Sequence, residues 1–331
     1  GRAAFLRGQG HGHCFGKSGQ LQEKHFSDEI MEKYNLNCLR RLEAESIQII
    51  REVAAEFKNP VLLYSIGKDS SVLLRLCQKA FFPARIPFPL LHIDTGFKFK
   101  EMIGFRDYVV QKFDLRLIVE KNESPEALSF QAEEAHTDNY IYHKKTKPLL
   151  EAISKYAFDA AIGGSRREEE KARAKERIFS LRKEMGGWDP KNQRPELWHL
   201  YNSKLNEKET MRVFPLSNWT EADIWAYIMY EKIEIVPLYF SQKRQVVKRN
   251  NVWLRLDEFV QPKEGEDIIE MICRYRTLGC SPSTGAVPST ASNLEEILME
   301  VMSADYSERE NRAIDGTSET SMENKKKEGY F

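Results

Sequence analysis

The chain has 331 residues, 41% hydrophobic and 30% charged, enough for one large α/β domain or a domain with a sizeable appendage. No apolar run nears the roughly 20 residues that cross a bilayer, which argues against membrane insertion. Fifty acidic and fifty basic side chains cancel, so no overall field draws the protein to nucleic acid, and any anion site is built locally.

Residues 1–34 read as a flexible N-terminal extension. Within it "GHGHCFGKSG" approaches the GxxxxGK[ST] nucleotide pattern, but His11 falls where the first glycine belongs and no strand precedes it. His11, His13 and Cys14 belong to that solvated tail. From Leu36 to Phe57 the apolar residues recur every three or four positions, which predicts a helix. Asn59-Pro60 ends it, Val61 to Tyr64 is a buried strand, and Ser70 to Ala80 is a helix again.

The alternation continues with strand Leu90 to Ile93, helix Lys100 to Phe113, strand Leu115 to Val119, helix Lys147 to Tyr156 and strand Ala160 to Ile162. Repeated βα units with fully apolar strands predict a doubly wound parallel sheet, with ligands at the carboxyl ends of its strands. After Gly163-Gly164 the run "RREEEKARAKER" suits a solvated helix in which Glu169 and Arg173 pair. Residues 186–212 look irregular. Thr220 and Asp223 in "SNWTEADIW" form a capping box for a new helix, and Asn293 to Met302 is helical. This divides the chain into residues 35–214, an α/β domain, and 215–331, a mainly helical and loop region.

The stretch "YSIGKDSS", residues 64–71, leaves a strand through a glycine-containing turn into a helix N-terminus. Such a turn aims backbone N–H groups at one spot, with the helix dipole adding positive potential. Gly67 lets backbone and phosphate approach closely, Ser65 and Ser70 offer hydroxyls, and Lys68 adds a charge. Asp69 would repel a phosphate unless a divalent cation stood between them, which suggests Mg²⁺; alternatively it caps the helix. Gly163 and Gly164 end another strand and allow Arg166 and Arg167 near a bound anion, where guanidinium forks suit tetrahedral oxyanions. Arginines are unfavourable beside the positive N-terminus of a helix, and a bound anion offsets this.

The five cysteines, Cys14, Cys38, Cys77, Cys273 and Cys280, are scattered without a CxxC pair. That pattern argues against a disulfide framework or a metal cluster and fits a reducing cytoplasm. Cys280 reads as packed rather than reactive, because no histidine or second cysteine neighbours it in sequence. His136 and His143 are seven apart without a third metal ligand, and read as surface or core residues.

The pattern SxGxDS resembles the pyrophosphate loop of ATP-using enzymes that release pyrophosphate. With "PFPLLHIDTGFKF", "FDAAIGGSRREEEKARAKERIFS", "WDPKNQRPELW", "RVFPLSNWTEADIWAYI", "IVPLYF", "RYRTLGC" and "KKKEGYF", it is similar to the small catalytic subunits of bacterial heterodimeric sulfate adenylyltransferases from about Leu36 to Phe331. The resemblance implies an adenine nucleotide alpha hydrolase-like fold that joins ATP and sulfate into adenosine 5′-phosphosulfate and pyrophosphate. It also implies a large GTPase subunit as partner, with GTP bound there. By the same likeness Ser65, Gly67, Lys68, Asp69 and Ser70 grip pyrophosphate with Mg²⁺, and Asp94 belongs to the adenosine pocket. Gly163 and Gly164 shape the nucleotide site, and Arg166 and Arg167 meet sulfate or the α-phosphate. Segments carrying Arg274, Arg276, Arg309 and Arg312 fold back over the nucleotide. Relatives place an aromatic residue where Ser281 stands here.

Three other readings remain open. A reductase of activated sulfate would use a C-terminal cysteine or a cysteine-held cluster, whereas Cys280 is the last cysteine, 51 residues before the end. Another adenylating enzyme, such as a flavin-nucleotide synthase, would differ in its acceptor. A non-catalytic subunit would have no need of the loop, Asp94 and the paired arginines together.

Overall fold

The computed structural model describes residues 36–169 and 171–303. The N-terminal extension, Arg309 and Arg312 lie outside the described residues. Helix α1 (Leu36–Glu56) forms as its apolar period predicts, burying Leu39, Leu42, Ile49, Ile50 and Val53 on one face. There follow β1 (Pro60–Leu63), α2 (Lys68–Phe81), β2 (Leu90–Ile93), α3 (Lys100–Lys112), β3 (Leu117–Glu120), α4 (Lys147–Lys155) and β4 (Ala160–Ile162). With β5 (Phe179–Arg182) and β6 (Thr210–Val213) these strands build a six-stranded sheet in the order β3-β2-β1-β4-β6-β5. Its pairs are parallel except at the edge, where β5 runs antiparallel to β6.

Both faces of the centre of this sheet are covered, which is why β1 and β4 are apolar throughout instead of alternating. Leu62, Leu90, Ala160 and Ile162 turn to one side, into the main core with α1 and α2. Val61, Leu91 and Ala161 turn to the other, against Leu149, Ala152 and Ile153 of α4. The strand order reverses at β1, with β2 and β3 on one side and β4 on the other. A crevice between the carboxyl ends of β1 and β4 is where a doubly wound sheet takes its ligands. No helix among the described residues is long and apolar enough to cross a membrane.

Helix α5 (Glu221–Glu231) carries the expected capping box: Asp223 N donates to Thr220 Oγ1 at 3.0 Å, and Thr220 N donates to Asp223 Oδ2 at 2.7 Å. The run after Gly164 departs from expectation. It makes a short 3₁₀ turn and one turn of α-helix, Lys171–Ala174, and its Arg173 is buried. Arg173 does pair with Glu169 at 3.3 Å, but Glu176 and Arg182 bury the segment beside the sheet edge, joined at 2.6 Å. A solvated helix would need these charges in water.

The C-terminal region is not mainly helix and loop. Strands β7 (Gln242–Arg249), β8 (Val252–Arg255), β9 (Ile269–Arg274) and β10 (Val287–Pro288) form a second sheet, antiparallel, in the order β10-β9-β7-β8. Only Arg244, Val246 and Val247 of β7 are buried, so its charged sequence offers no apolar run to read. Helix α6 (Leu294–Met302) matches the expected segment, with Asn293 Oδ1 accepting from Glu296 N at 2.9 Å.

Candidate active site

Two loops meet at the switch point. Leaving β1, Ile66 stands in the left-handed region at φ 73°, with its side chain fully buried. A β-branched residue rarely adopts that backbone, which costs about 1–2 kcal/mol, and burial of the side chain holds it there. Gly67 has an ordinary φ of −70°. A Cβ on it would meet Tyr239 Oη at 3.4 Å and Ser65 Oγ at 3.6 Å, both normal contacts. Its use is therefore the bare backbone surface it leaves open. Ser65 Oγ donates to Ser70 Oγ at 3.3 Å, and Ser70 Oγ donates to Gly67 O at 2.9 Å, knitting the turn together. The first N–H of α2, on Lys68, donates to Tyr239 Oη at 2.8 Å.

Leaving β4, Gly163 N donates to Val213 O at 2.8 Å. Gly164 lies directly against α2: a Cβ there would stand 3.3 Å from both the carbonyl carbon and the Cβ of Asp69. The missing side chain lets the two loops touch and sets Arg166 beside Asp69. Arg166 Nε donates to Asp69 Oδ1 at 2.7 Å, and its Nη1 donates to Glu168 Oε2 at 3.0 Å.

Further contacts close a ring. Glu168 Oε2 accepts from Glu221 N at 2.6 Å, and Glu221 Oε2 accepts from Arg276 Nη2 at 2.6 Å. Lys68 Nζ donates to Arg276 O at 3.4 Å and lies 3.4 Å from Asp69 Oδ2. Lys68, Arg166 and Arg276 thus face Asp69, Glu168 and Glu221, and the ring joins the β1 loop, the β4 loop, the start of α5 and the segment after β9. Lys68 and Arg166 are each 1% exposed. Charges so buried persist only when paired.

The phosphoadenosine phosphosulfate reductase domain matches residues 59–286. Sulfate adenylyltransferase subunit 2 of Psychromonas ingrahamii is 56% identical over 302 residues, covering 91% of this chain and 100% of its own. The protein of that name from Zymomonas mobilis subsp. mobilis is 56% identical over 306 residues, with the same shares. The chain belongs to the sulfate adenylyltransferase subunit 2 family. Among solved structures, a phosphoadenylyl-sulfate reductase from Candida auris aligns with 62% of this chain and 90% of its own at TM-score 0.43 and 17% identity.

Of the residues singled out in sequence, this family member brings Ser65, Gly67, Lys68, Asp69, Ser70, Gly163, Gly164 and Arg166 to the switch point. Arg167 is tied elsewhere: its N–H donates to Ser217 O at 3.0 Å and its guanidinium to Asn218 Oδ1. Asp94 ends β2 on the same sheet edge, and its Oδ1 accepts from Gly96 N at 2.8 Å, which caps the turn. Arg274 is buried and pairs with Glu300 at 3.2 Å, while Arg276 joins the ring. Ser281 is buried; its Oγ donates to Asp257 Oδ2 and its N–H to Phe97 O at 2.7 Å.

No cluster of three or more metal-ligating side chains occurs among the described residues. Mg²⁺ commonly takes one or two carboxylates together with substrate phosphates. Asp69 fits that role as a single carboxylate, with Oδ1 held by Arg166 and Oδ2 beyond close hydrogen-bond distance of Lys68. Sequence reasoning missed Tyr239, Glu168 and Glu221. Only "IVPLYF" hinted at the first, and nothing local marks the carboxylates as ring members.

It also missed His92. This residue is 1% exposed on β2, and its Nδ1–H donates to Tyr64 O at 2.8 Å, fixing the exit of β1. Burial, then the charge of Lys98, pulls its pKa from 6.5 to about 3. Between these values the unfolded chain binds a proton that the folded chain refuses, so stability falls as pH drops below about 6.5. Melting temperatures from pH 7 to pH 4 are expected to fall, and His92→Gln should flatten that slope by about one proton. An unchanged slope would mean that His92 is not the group refusing the proton.

Proposed function

We propose that this chain carries out the adenylyl transfer of a sulfate adenylyltransferase, converting ATP and sulfate to adenosine 5′-phosphosulfate and pyrophosphate. The observation that carries the reading is the ring of Lys68, Asp69, Arg166, Glu168, Glu221 and Arg276 at the switch point, in a chain alike over their whole length to proteins of that name. An oxygen of sulfate attacks the α-phosphorus in line, the new P–O bond forms, and the bond to the β-phosphate oxygen breaks with its electron pair leaving on pyrophosphate. No protein nucleophile takes part. Catalysis then rests on holding two anions together and on stabilising charge as it develops.

In this reading the β1 loop from Ser65 to Ser70 cradles the β- and γ-phosphates at the N-terminus of α2, with Lys68 against the leaving group. Gly163, Gly164 and Asp94 shape the nucleotide pocket, and Arg166 fixes Asp69. Asp69 with the nucleotide phosphates would hold Mg²⁺, which supplies positive charge to the departing pyrophosphate. Formation of the phosphosulfate is strongly uphill, and we assign its drive to GTP hydrolysis on a large partner subunit, contacted by the region from residue 215 onward.

Purified with that partner, the chain is expected to release pyrophosphate from ATP only when sulfate and GTP are both present. Release indifferent to sulfate would overturn the reaction, and full turnover by the chain alone would remove the partner.

A further inference from the structure

The switch-point ring balances its own charges, but a second group on the same edge does not. After β2 the chain turns through Thr95 and Gly96, the latter at φ +84°, to Lys98. Facing this turn, residues Tyr142–Thr146 form a single π-helical turn, a form that recurs at functional sites. Asn122 Nδ2 pins it by donating to His143 O at 2.8 Å.

The π turn aims Lys144 inward. Its side chain is 5% exposed, and its Nζ stands 3.9 Å from where a Cβ on Gly96 would sit. Lys145 and Lys98 approach the same place, flanking Cys280, whose backbone bridges to Lys98. Cys280 Sγ lies 3.1 Å from Thr95 Oγ1 and 3.3 Å from Tyr140 Oη. Among the described residues no carboxylate lies within 4.0 Å of the Lys98, Lys144 or Lys145 ammonium. The nearby acid is Asp94, whose Oδ1 already accepts from Gly96 N.

Against these three buried or half-buried cations stands the single Asp94 carboxylate, and the positive charge left in excess is self-repelling unless a further anion joins it. The protonation balance agrees: burial and then Lys145 hold Lys98 below its ordinary range, and burial and then Lys121 do the same to Lys144. Burial alone would push the Cys280 thiol up, yet Lys145 and Lys98 bring it below its usual value. That direction reports the positive potential the two lysines create at this place, to which a multiply charged oxyanion would respond far more strongly.

We propose that Lys98, Lys144 and Lys145 form a subsite for a tetrahedral dianion, a sulfuryl or phosphoryl group, one strand away from the loop that cradles the triphosphate. This rests on the reading above, and free sulfate and the phosphate tail of the nucleotide are its two chemical sources. Cys280, Thr95 and Tyr140 act as positioning residues that set the floor of the subsite.

The test compares the full chain, purified with its partner, with Lys144→Met, Lys98→Gln and Lys145→Gln. Initial rates are taken with sulfate varied at saturating ATP and the reverse, and melting temperatures with inorganic sulfate or a non-hydrolysable ATP analogue. A sulfate KM raised about tenfold or more in each variant, with that for ATP unchanged, assigns the subsite to sulfate, since a charged hydrogen bond carries that much. Loss of the analogue's melting shift with sulfate kinetics intact assigns it to the phosphate tail. Constants within twofold of the parent in variants that melt like it would overturn the subsite. Lys98→Gln and Lys145→Gln, being less buried, keep the test decisive if Lys144→Met fails to fold. A parent protein whose pyrophosphate release ignores sulfate defeats the proposed reaction, and the melting shift with inorganic sulfate still decides the subsite.

Discussion

Lys68→Met is expected to cut sulfate-dependent pyrophosphate release by about a hundredfold or more, the scale on which removal of one transition-state donor acts, while leaving the melting temperature close to that of the parent. The separation follows from the ring. Lys68 is 1% exposed and its ammonium sits 3.4 Å from Asp69 Oδ2, a looser contact than the 2.7 Å bond from Arg166 to Oδ1. Methionine fills the same space and leaves Asp69 with its stronger partner, so the fold loses little. Chemistry loses the cation at the N-terminus of α2, where charge on the departing pyrophosphate would grow. Turnover near the parental rate would place the phosphates away from this loop.

Arg166→Ala should act on both fold and activity. Its side chain is fully buried and reaches Asp69 and Glu168 at once. Removing one partner from a buried ion pair costs about 3–5 kcal/mol, equivalent to about 4–7 °C in melting temperature for a chain of this size. Activity should fall with it, since Asp69 loses the group that orients it. Arg166→Lys should recover only part of either loss, because one ammonium cannot serve two carboxylates that a planar fork spans. Full recovery by lysine would show that charge alone matters there, and an unchanged melting temperature in the alanine variant would show that the pair does not hold the loops together.

The centre of the doubly wound sheet was legible because β1 and β4 are short and apolar throughout and β1 runs straight into a helix of clear period, whereas β5 and β6, carrying Ser180, Arg182 and Arg212, offer no such run and were not read. The two loops could be read for the same local reason: glycines and charges stand immediately after β1 and β4. The ring could not, since its contacts join residues far apart in the chain, Asp69 to Arg166, Lys68 to Tyr239 and Glu221 to Arg276. The second sheet was hidden by the charged alternation of strands such as Gln242–Arg249. Cys280 was judged from its sequence neighbours, whereas the lysines that act on it come from the β2 exit and the π turn.

The left-handed Ile66 bears on how nucleotide binding is divided between enthalpy and entropy. A turn anchored by an aliphatic side chain in the core is stiff in a way that a glycine-rich turn is not, so holding a triphosphate there, as proposed, would require little ordering of the chain. Its binding free energy is then available for alignment of the reacting atoms instead of being consumed in shaping the host.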